Sequence, residues 1–160
     1  MKQLLLLRHA QTHDSSDSGR DRDRTLTPHG FEQAKALRKY LAEHDFMPDK
    51  IVSSDATRTR QTVETLDLAG TPTEFEHSLY HASAARLLDE VFATHKEVNR
   101  LLLVAHNPGV YDFARMLTGE KDQDFYSGYP TCGLSLFQWD EKDWHHVGTQ
   151  GCVYLGLALF

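Results

Sequence analysis

Three polar groups in this chain carry residue types suited to chemistry, and each follows directly on an apolar run. Arg8-His9 follows Leu4 to Leu7, Ser53-Ser54 follows Ile51-Val52 with Arg58 one helical turn further on, and His106-Asn107-Pro108-Gly109 follows Leu101 to Ala105. If the three runs are neighbouring strands, two arginines and two histidines converge on one small volume. The planar guanidinium fork of arginine matches a tetrahedral oxyanion. A neutral imidazole, available near pH 7 because the unperturbed pKa is about 6.5, can attack phosphorus and carry the phosphoryl group covalently. The arginines would offset the charge that grows on the equatorial oxygens, and a second histidine, protonated beside the phosphate, would add a donor. The same set is poor for a metal, because arginine repels a cation and common zinc sites need three or four His, Cys or carboxylate ligands.

The elements that must hold these groups can be read from spacing. Gln3 to Leu7 is nearly all apolar, as in a strand buried on both faces of a parallel sheet. Thr27 can cap a helix with Pro28 in its first turn, and Phe31, Ala34, Leu37 and Leu41 form its inner face. Lys50 to Ser53 predicts a short strand and a helix from about Asp55 carries Ala56, Val63 and Leu66. Ser83 predicts the cap of a helix with Leu87, Leu88, Val91 and Phe92, and Pro108 opens another with Tyr111, Phe113, Ala114 and Leu117. The runs 134–139 and 147–158 read as strands about a polar turn at 140–143. Strands alternating with helices imply a three-layer α/β/α sandwich, with a mostly parallel central sheet and an antiparallel C-terminal edge. Ligands in such sheets bind beyond the carboxyl ends of the strands, where all three groups lie.

Bulk properties narrow the class. The 160 residues suit one domain, spanning 1–160, with an ordinary hydrophobic core. A formal charge of −6 disfavours a nucleic-acid partner but still allows arginines to focus a local positive field. The early apolar run, Leu4 to Leu7, is too short for a signal core or a spanning helix, so the expectation is a cytoplasmic protein with no membrane partner. Two cysteines, Cys132 and Cys152, do not make a disulfide framework. The polar stretch Thr12 to Arg24 reads as a solvated loop, but it follows His9 directly and could fold over a ligand.

Taken in order, the motifs resemble those of the histidine phosphatase superfamily, which includes the cofactor-dependent phosphoglycerate mutases. Leu5-Leu6-Leu7-Arg8-His9-Ala10-Gln11-Thr12 is similar to its Arg-His-Gly/Ala signature, and Leu26-Thr27-Pro28-His29-Gly30-Phe31-Glu32-Gln33-Ala34 to its Leu-Thr-x-x-Gly-x-x-Gln-Ala stretch. Ser53 to Thr62 supplies a third block, and Val104-Ala105-His106-Asn107 a fourth. The resemblance implies a phosphoglycerate mutase-like fold, with His9 as the phosphorylated nucleophile and Arg8, Arg58 and His106 as the phosphate pocket. It makes Arg58, not Arg60, the arginine of its block. Thr12 stands where the family often has a hydroxyl reaching the phosphate, and the backbone amide of Asn107 is a further candidate donor.

The small size, the Arg-His-Ala variant and Leu79-Tyr80-His81-Ala82-Ser83 look most like SixA-type phosphohistidine phosphatases, which lack a large cap insertion. The stretch 73–81, where larger members carry a glutamate proton donor, is short here; Glu76 is the candidate donor, with His77 and Glu74 behind it. A pocket without a firm acid suits phosphohistidine, whose imidazole departs easily, better than a phosphomonoester. The expectation is a phosphatase that needs no metal or cofactor and acts on a phosphorylated protein. The alternatives are a small-molecule phosphomonoesterase of the same superfamily, or a non-catalytic module that binds phosphate or a phosphoprotein. A histidine-rich metal site around His145-His146 is a remote further idea.

Overall fold

Alternation along the first strand sets the layers. In the computed structural model, which describes residues 1–119, 123–125 and 127–160, β1 spans Lys2–Arg8. Leu4 and Leu6 point into one core cluster and Leu5 and Leu7 into another, all fully buried. Successive strand residues face opposite sides, so a continuous leucine run serves two cores at once. On the Leu5/Leu7 side lie α1 (Pro28–Glu43) and α2 (Thr57–Leu66), contributing Leu37, Leu41, Val63 and Leu66. On the other side lie α3 (Ala84–Phe92) and α4 (Gly109–Thr118), contributing Leu87, Val91, Val110 and Phe113. Helices therefore cover both faces, giving the expected three layers.

The sheet is completed by β2 (Lys50–Ser54), β3 (Thr73–Glu76), β4 (Arg100–Ala105), β5 (Leu134–Trp139) and β6 (Val153–Ala158), in the order β3-β2-β4-β1-β5-β6. The first four strands are mutually parallel where they pair, β5 runs against β1, and β6 runs against β5. Only β5 is therefore reversed in direction, and β6 at the edge runs with the rest. The spacing predicted no strand at β3. It is an edge strand, and Thr73 and Glu74 are exposed, so it lacks the apolar pattern that marks the buried strands.

Register matters most for the site. Arg8 pairs with Ala105 and Ser53 with Val104, so β1, β4 and β2 end at the same level. The helices begin where the sequence predicts: Thr27 accepts a hydrogen bond from the Gly30 amide at 3.0 Å and Ser83 accepts one from the Arg86 amide at 3.2 Å. The second helix starts slightly later than predicted, at Thr57 after an Ala56 cap that has no side chain to satisfy the first amides. No helix among the described residues is long and apolar enough to cross a membrane.

Candidate functional site

The neck of the polar loop after β1 is tied down on both sides. Thr12 bridges to Leu26, and the Thr27 amide donates to Gln11 O at 3.0 Å. Gln33 of α1 accepts from the Gln11 amide at 2.9 Å, and Gln61 of α2 accepts from the Leu26 amide at 2.8 Å. Gly30 packs so closely that an added Cβ would lie 2.1 Å from Gln11 O. The Gly and Gln positions of the Leu26 to Ala34 block thus hold the loop to the helices, and the loop's return brings Asp21 and Arg24 over the strand ends.

Beyond those ends lies a cleft of about 300 Å³ whose lining includes Arg8, His9, Thr12, Arg58, His106 and Asn107. The sequence expected these six to share a site. Glu76, the candidate donor, is not among the lining residues; it ends β3 beside Ser54. Glu74 pairs outward with Lys50 at 2.9 Å, and His77 faces Asp55 at 3.4 Å and Arg22. Arg60 lies on the surface with its guanidinium 4.2 Å from the centre of the Phe75 ring, while Arg58 is only 3% exposed. A larger hollow of about 520 Å³ lies within the polar loop itself, lined by serines, aspartates, Thr25 and His13, without either strand-end histidine.

The floor of the cleft is buried. His9 and His106 are 6% and 2% exposed, with ring centres 5.3 Å apart. His9 Nδ1 lies 2.8 Å from Ala10 O. A carbonyl can only accept, so Nδ1 carries the proton and Nε2 keeps the lone pair. Burial lowers the His9 pKa to about 3, with Arg58, Arg8 and Arg24 adding to the effect and the bond to Ala10 opposing it. Burial also lowers His106 to about 2, helped by Arg58 and His9. The protein's own groups thus favour neutral His106; the protonated form expected from the sequence would need the charge of a phosphoryl group beside it. His106 Nε2 pairs with Ser54 Oγ at 2.8 Å, and its Nδ1 is buried without a partner, as are Arg8 Nε and Arg58 Nε. Unpaired buried N–H groups are costly unless a ligand satisfies them.

Sequence reasoning missed two parts of the site. The first is the chain from Tyr129 to Gly133. Tyr129 O accepts from Arg8 Nη1 at 2.9 Å and from Asn107 Nδ2 at 3.0 Å, while the Tyr129 hydroxyl donates to Leu6 O at 2.7 Å. These contacts run through backbone carbonyls, so no motif marks them. The second is the rim formed by Asp21, Arg24, Tyr80 and His81. Asp21 Oδ2 accepts from Tyr80 at 2.6 Å and Arg58 Nη2 at 3.1 Å, with His81 Nε2 at 3.2 Å. Arg24 binds the other oxygen at 2.9 Å and reaches Thr12 Oγ1 at 2.5 Å. Tyr80, then Arg24 and Arg58, holds the Asp21 carboxyl well below the usual range, against an opposing push from partial burial. Asp21 is therefore ionised and not a proton donor. Its own signal was the acidic and basic run 20–24 at the end of the polar stretch that follows His9, which reads equally well as a solvated loop.

Among the described residues, no group of three or more His, Cys, Asp or Glu side chains is placed to hold a metal ion. His145 and His146 face Asp143 and Glu141 instead. Both cysteines are free; burial raises Cys132 to about 12 and Cys152 to about 11, so neither supplies a thiolate near neutral pH.

Known proteins share sequence and fold with this chain. Residues 4–80 match the model of the histidine phosphatase superfamily (branch 1). A SixA-type protein of Agrobacterium tumefaciens superposes with a TM-score of 0.85 at 28% identity, covering 98% of this chain and 97% of that one. The protein histidine phosphatase SixA complexed with tungstate superposes at 0.79 and 18% identity, covering 98% and 96%, which supports the fold. An uncharacterised chloroplastic protein of Arabidopsis thaliana is 28% identical over 158 residues, covering 91% of this chain and 70% of its own length. The mitochondrial serine/threonine-protein phosphatase PGAM5 of Mus musculus is 42% identical over 63 residues, 39% of this chain and 21% of that protein.

Proposed function

Since the chain belongs to the histidine phosphatase superfamily and resembles its SixA-type members, we propose that it is a metal-independent phosphatase that works through a phosphohistidine on His9 and dephosphorylates phosphohistidine in a protein. The observation that carries this reading is the state of His9: buried, neutral, and with its proton fixed on Nδ1 by Ala10 O. Such a ring offers Nε2 as a nucleophile without first losing a proton.

In the proposed reaction Nε2 attacks phosphorus opposite the leaving group. Arg8 and Arg58 hold the equatorial oxygens, and Thr12 and the Asn107 amide are added donors. With Ser54 donating to His106 Nε2, His106 Nδ1–H is a further donor for the developing charge. Water then attacks phospho-His9, orthophosphate leaves, and the ring returns to its neutral form. No step calls for a metal or a cofactor.

Three features support a protein phosphohistidine over a small ester. We take residues 1–160 as one domain without a large cap; between α2 and α3 the described chain holds only β3 and a short turn at His77–Leu79. The cleft's mouth is therefore open to a side chain presented by another protein. Asp21 is ionised, so it can pair with a protonated imidazole leaving group. The structural likeness extends over nearly the whole SixA-type chain.

The test is a panel of phosphohistidine peptides, phosphoserine peptides, phosphosugars and nucleotides compared by kcat/KM. An alkaline quench should trap acid-labile phosphate on His9. Strong preference for one small ester would overturn the substrate assignment. Tight vanadate binding with no turnover on any substrate would leave a binding module. A phosphoserine peptide is the second reading, favoured by the local identity to the serine/threonine-protein phosphatase of mouse.

A further inference from the structure

Resting on the reading of the cleft as a phosphatase site, we propose that His81 is a catalytic residue, which gives a proton to the leaving group and takes one from the attacking water, and that Asp21 is the positioning residue that aims it. Both line the cleft with His9 and His106. The two floor histidines are buried and occupied with attack and oxyanion binding. By contrast, the His81 side chain is 52% exposed, with its Nε2 3.2 Å from Asp21 Oδ2. It lies at the mouth, where a leaving group must exit and a water must enter. Its ring centre is 5.7 Å from that of His106 and 4.1 Å from that of Tyr80.

The backbone is shaped to place this ring. His81 has φ of 53°, a left-handed conformation uncommon for a residue other than glycine, and such departures concentrate at functional sites. The next residue is pressed against the segment that carries His106: a Cβ on Gly109 would lie 1.9 Å from Ala82 O. A glycine there lets the His81 turn approach the second floor histidine.

The groups facing His81 are the Asp21 carboxylate, the Tyr80 hydroxyl that shares that carboxylate, His106, and Arg24 and Arg58 bound to Asp21. The Asp21 carboxylate can only accept, so His81 Nε2 carries a proton and Nδ1 is the atom left to exchange one. An exposed imidazole whose other nitrogen is held by a carboxylate is suited to passing a proton to and from a bound group.

The steps balance. His9 Nε2 attacks phosphorus, and the bond from phosphorus to the leaving nitrogen or oxygen breaks with its electron pair on the leaving atom. Protonated His81, held through Nε2 by Asp21, passes its Nδ1 proton to that atom and becomes neutral. Water oxygen then attacks the phosphorus of phospho-His9 and loses its proton to His81 Nδ1. The P–Nε2 bond breaks, its electrons return to His9, and orthophosphate departs.

The experiment measures His81→Asn and wild type on monophosphates of rising leaving-group pKa, from 4-nitrophenyl phosphate to an alkyl phosphate, with N-phosphoimidazole alongside. Asparagine accepts the left-handed backbone, so the turn survives the substitution. The expected loss in kcat/KM is about 10²- to 10³-fold on the alkyl phosphate, in the range of general acid catalysis, and at least roughly tenfold smaller on 4-nitrophenyl phosphate. Asp21→Asn, which takes the carboxylate from His81 Nε2, should give a loss with the same leaving-group dependence but smaller size. An equal loss across the series, or no loss, overturns the proposal. Absence of acid-labile phosphate on wild-type His9 would overturn the phosphatase reading itself. Phospho-His9 formed normally with a parallel loss across the series removes only His81.

Discussion

The floor and the rim of the cleft are built in opposite ways. His9, Arg58 and His106 are almost fully buried, and they stand on strand ends and a helix start already fixed by the core. Arg24, Asp21 and His81 stand on loops, partly exposed, and are held to one another by charge. Buried groups keep their geometry at high salt and shift strongly in pKa, whereas exposed pairs are screened and worth little individually. The floor thus fits the attacking and binding roles, and the rim fits roles that require movement and proton exchange.

Substitution at the floor is the strongest way to break this division. His9→Ala should reduce kcat by more than about 10³-fold and abolish acid-labile phosphoenzyme, because no rim group can replace the nucleophile. Retained phosphatase activity would remove the mechanism. Next in size, Arg58→Ala should cost about 10²- to 10³-fold in kcat, the usual scale for a buried oxyanion donor. Arg24→Ala should cost about tenfold or less, and its effect should shrink as salt rises because its partner Asp21 is partly exposed. Equal effects, both independent of salt, would mean that rim and floor are one unit.

The same contrast governs what the sequence revealed. The floor was legible because its residues follow runs such as Leu4 to Leu7 and Leu101 to Val104, whose burial on both faces is written in their composition. The caps at Thr27 and Ser83 were legible for a local reason: a hydroxyl three residues before an unpaired amide. The edge strand β3 was not legible, since it has an exposed, charged sequence and exists through pairing with β2. Asp21 was hidden because its role depends on Tyr80 and His81, about sixty residues away in the chain. Tyr129 contributes a carbonyl, and a carbonyl has no residue-type signal.

Acid stability separates the regions by a second measurement. The folded protein keeps His9 neutral down to about pH 3, while an unfolded histidine takes a proton near 6.5. Between those values the unfolded chain binds more protons, so stability falls as pH drops below about 6.5, by up to about 1.4 kcal/mol per pH unit for this site. His9→Gln should flatten that acid limb in urea unfolding at pH 7 and pH 4.5. His81→Asn should leave the slope from the floor histidines in place. The same slope in wild type and His9→Gln would contradict the buried, neutral state assigned to His9.

Gly109→Ala couples the two regions. Its methyl group would meet the backbone carbonyl of Ala82, so the His81 turn or the start of α4 must shift. The expected cost is about 1–3 kcal/mol, as for overpacking, with a larger fractional loss on alkyl than on 4-nitrophenyl phosphate because His81 is displaced. A loss of stability without that change in substrate ratio would show that the turn relaxes without moving the imidazole.

The smallest expected effect is at Glu76. It carries the charge the resemblance makes a candidate donor, yet it ends β3 at the side of Ser54 and does not line the cleft. A carboxyl group delivers a proton only within hydrogen-bond reach of the leaving atom, directly or through one water. Glu76→Gln should therefore change kcat/KM by less than about twofold on both alkyl and 4-nitrophenyl phosphate, with the pH–rate profile intact. A loss confined to the alkyl phosphate would transfer the acid role from His81 to Glu76 and would require β3 to move toward the cleft when substrate binds. The pairing of Ser54 with both Glu76 and, through its hydroxyl, His106 makes such a movement costly, because it would disturb the partner of a floor histidine.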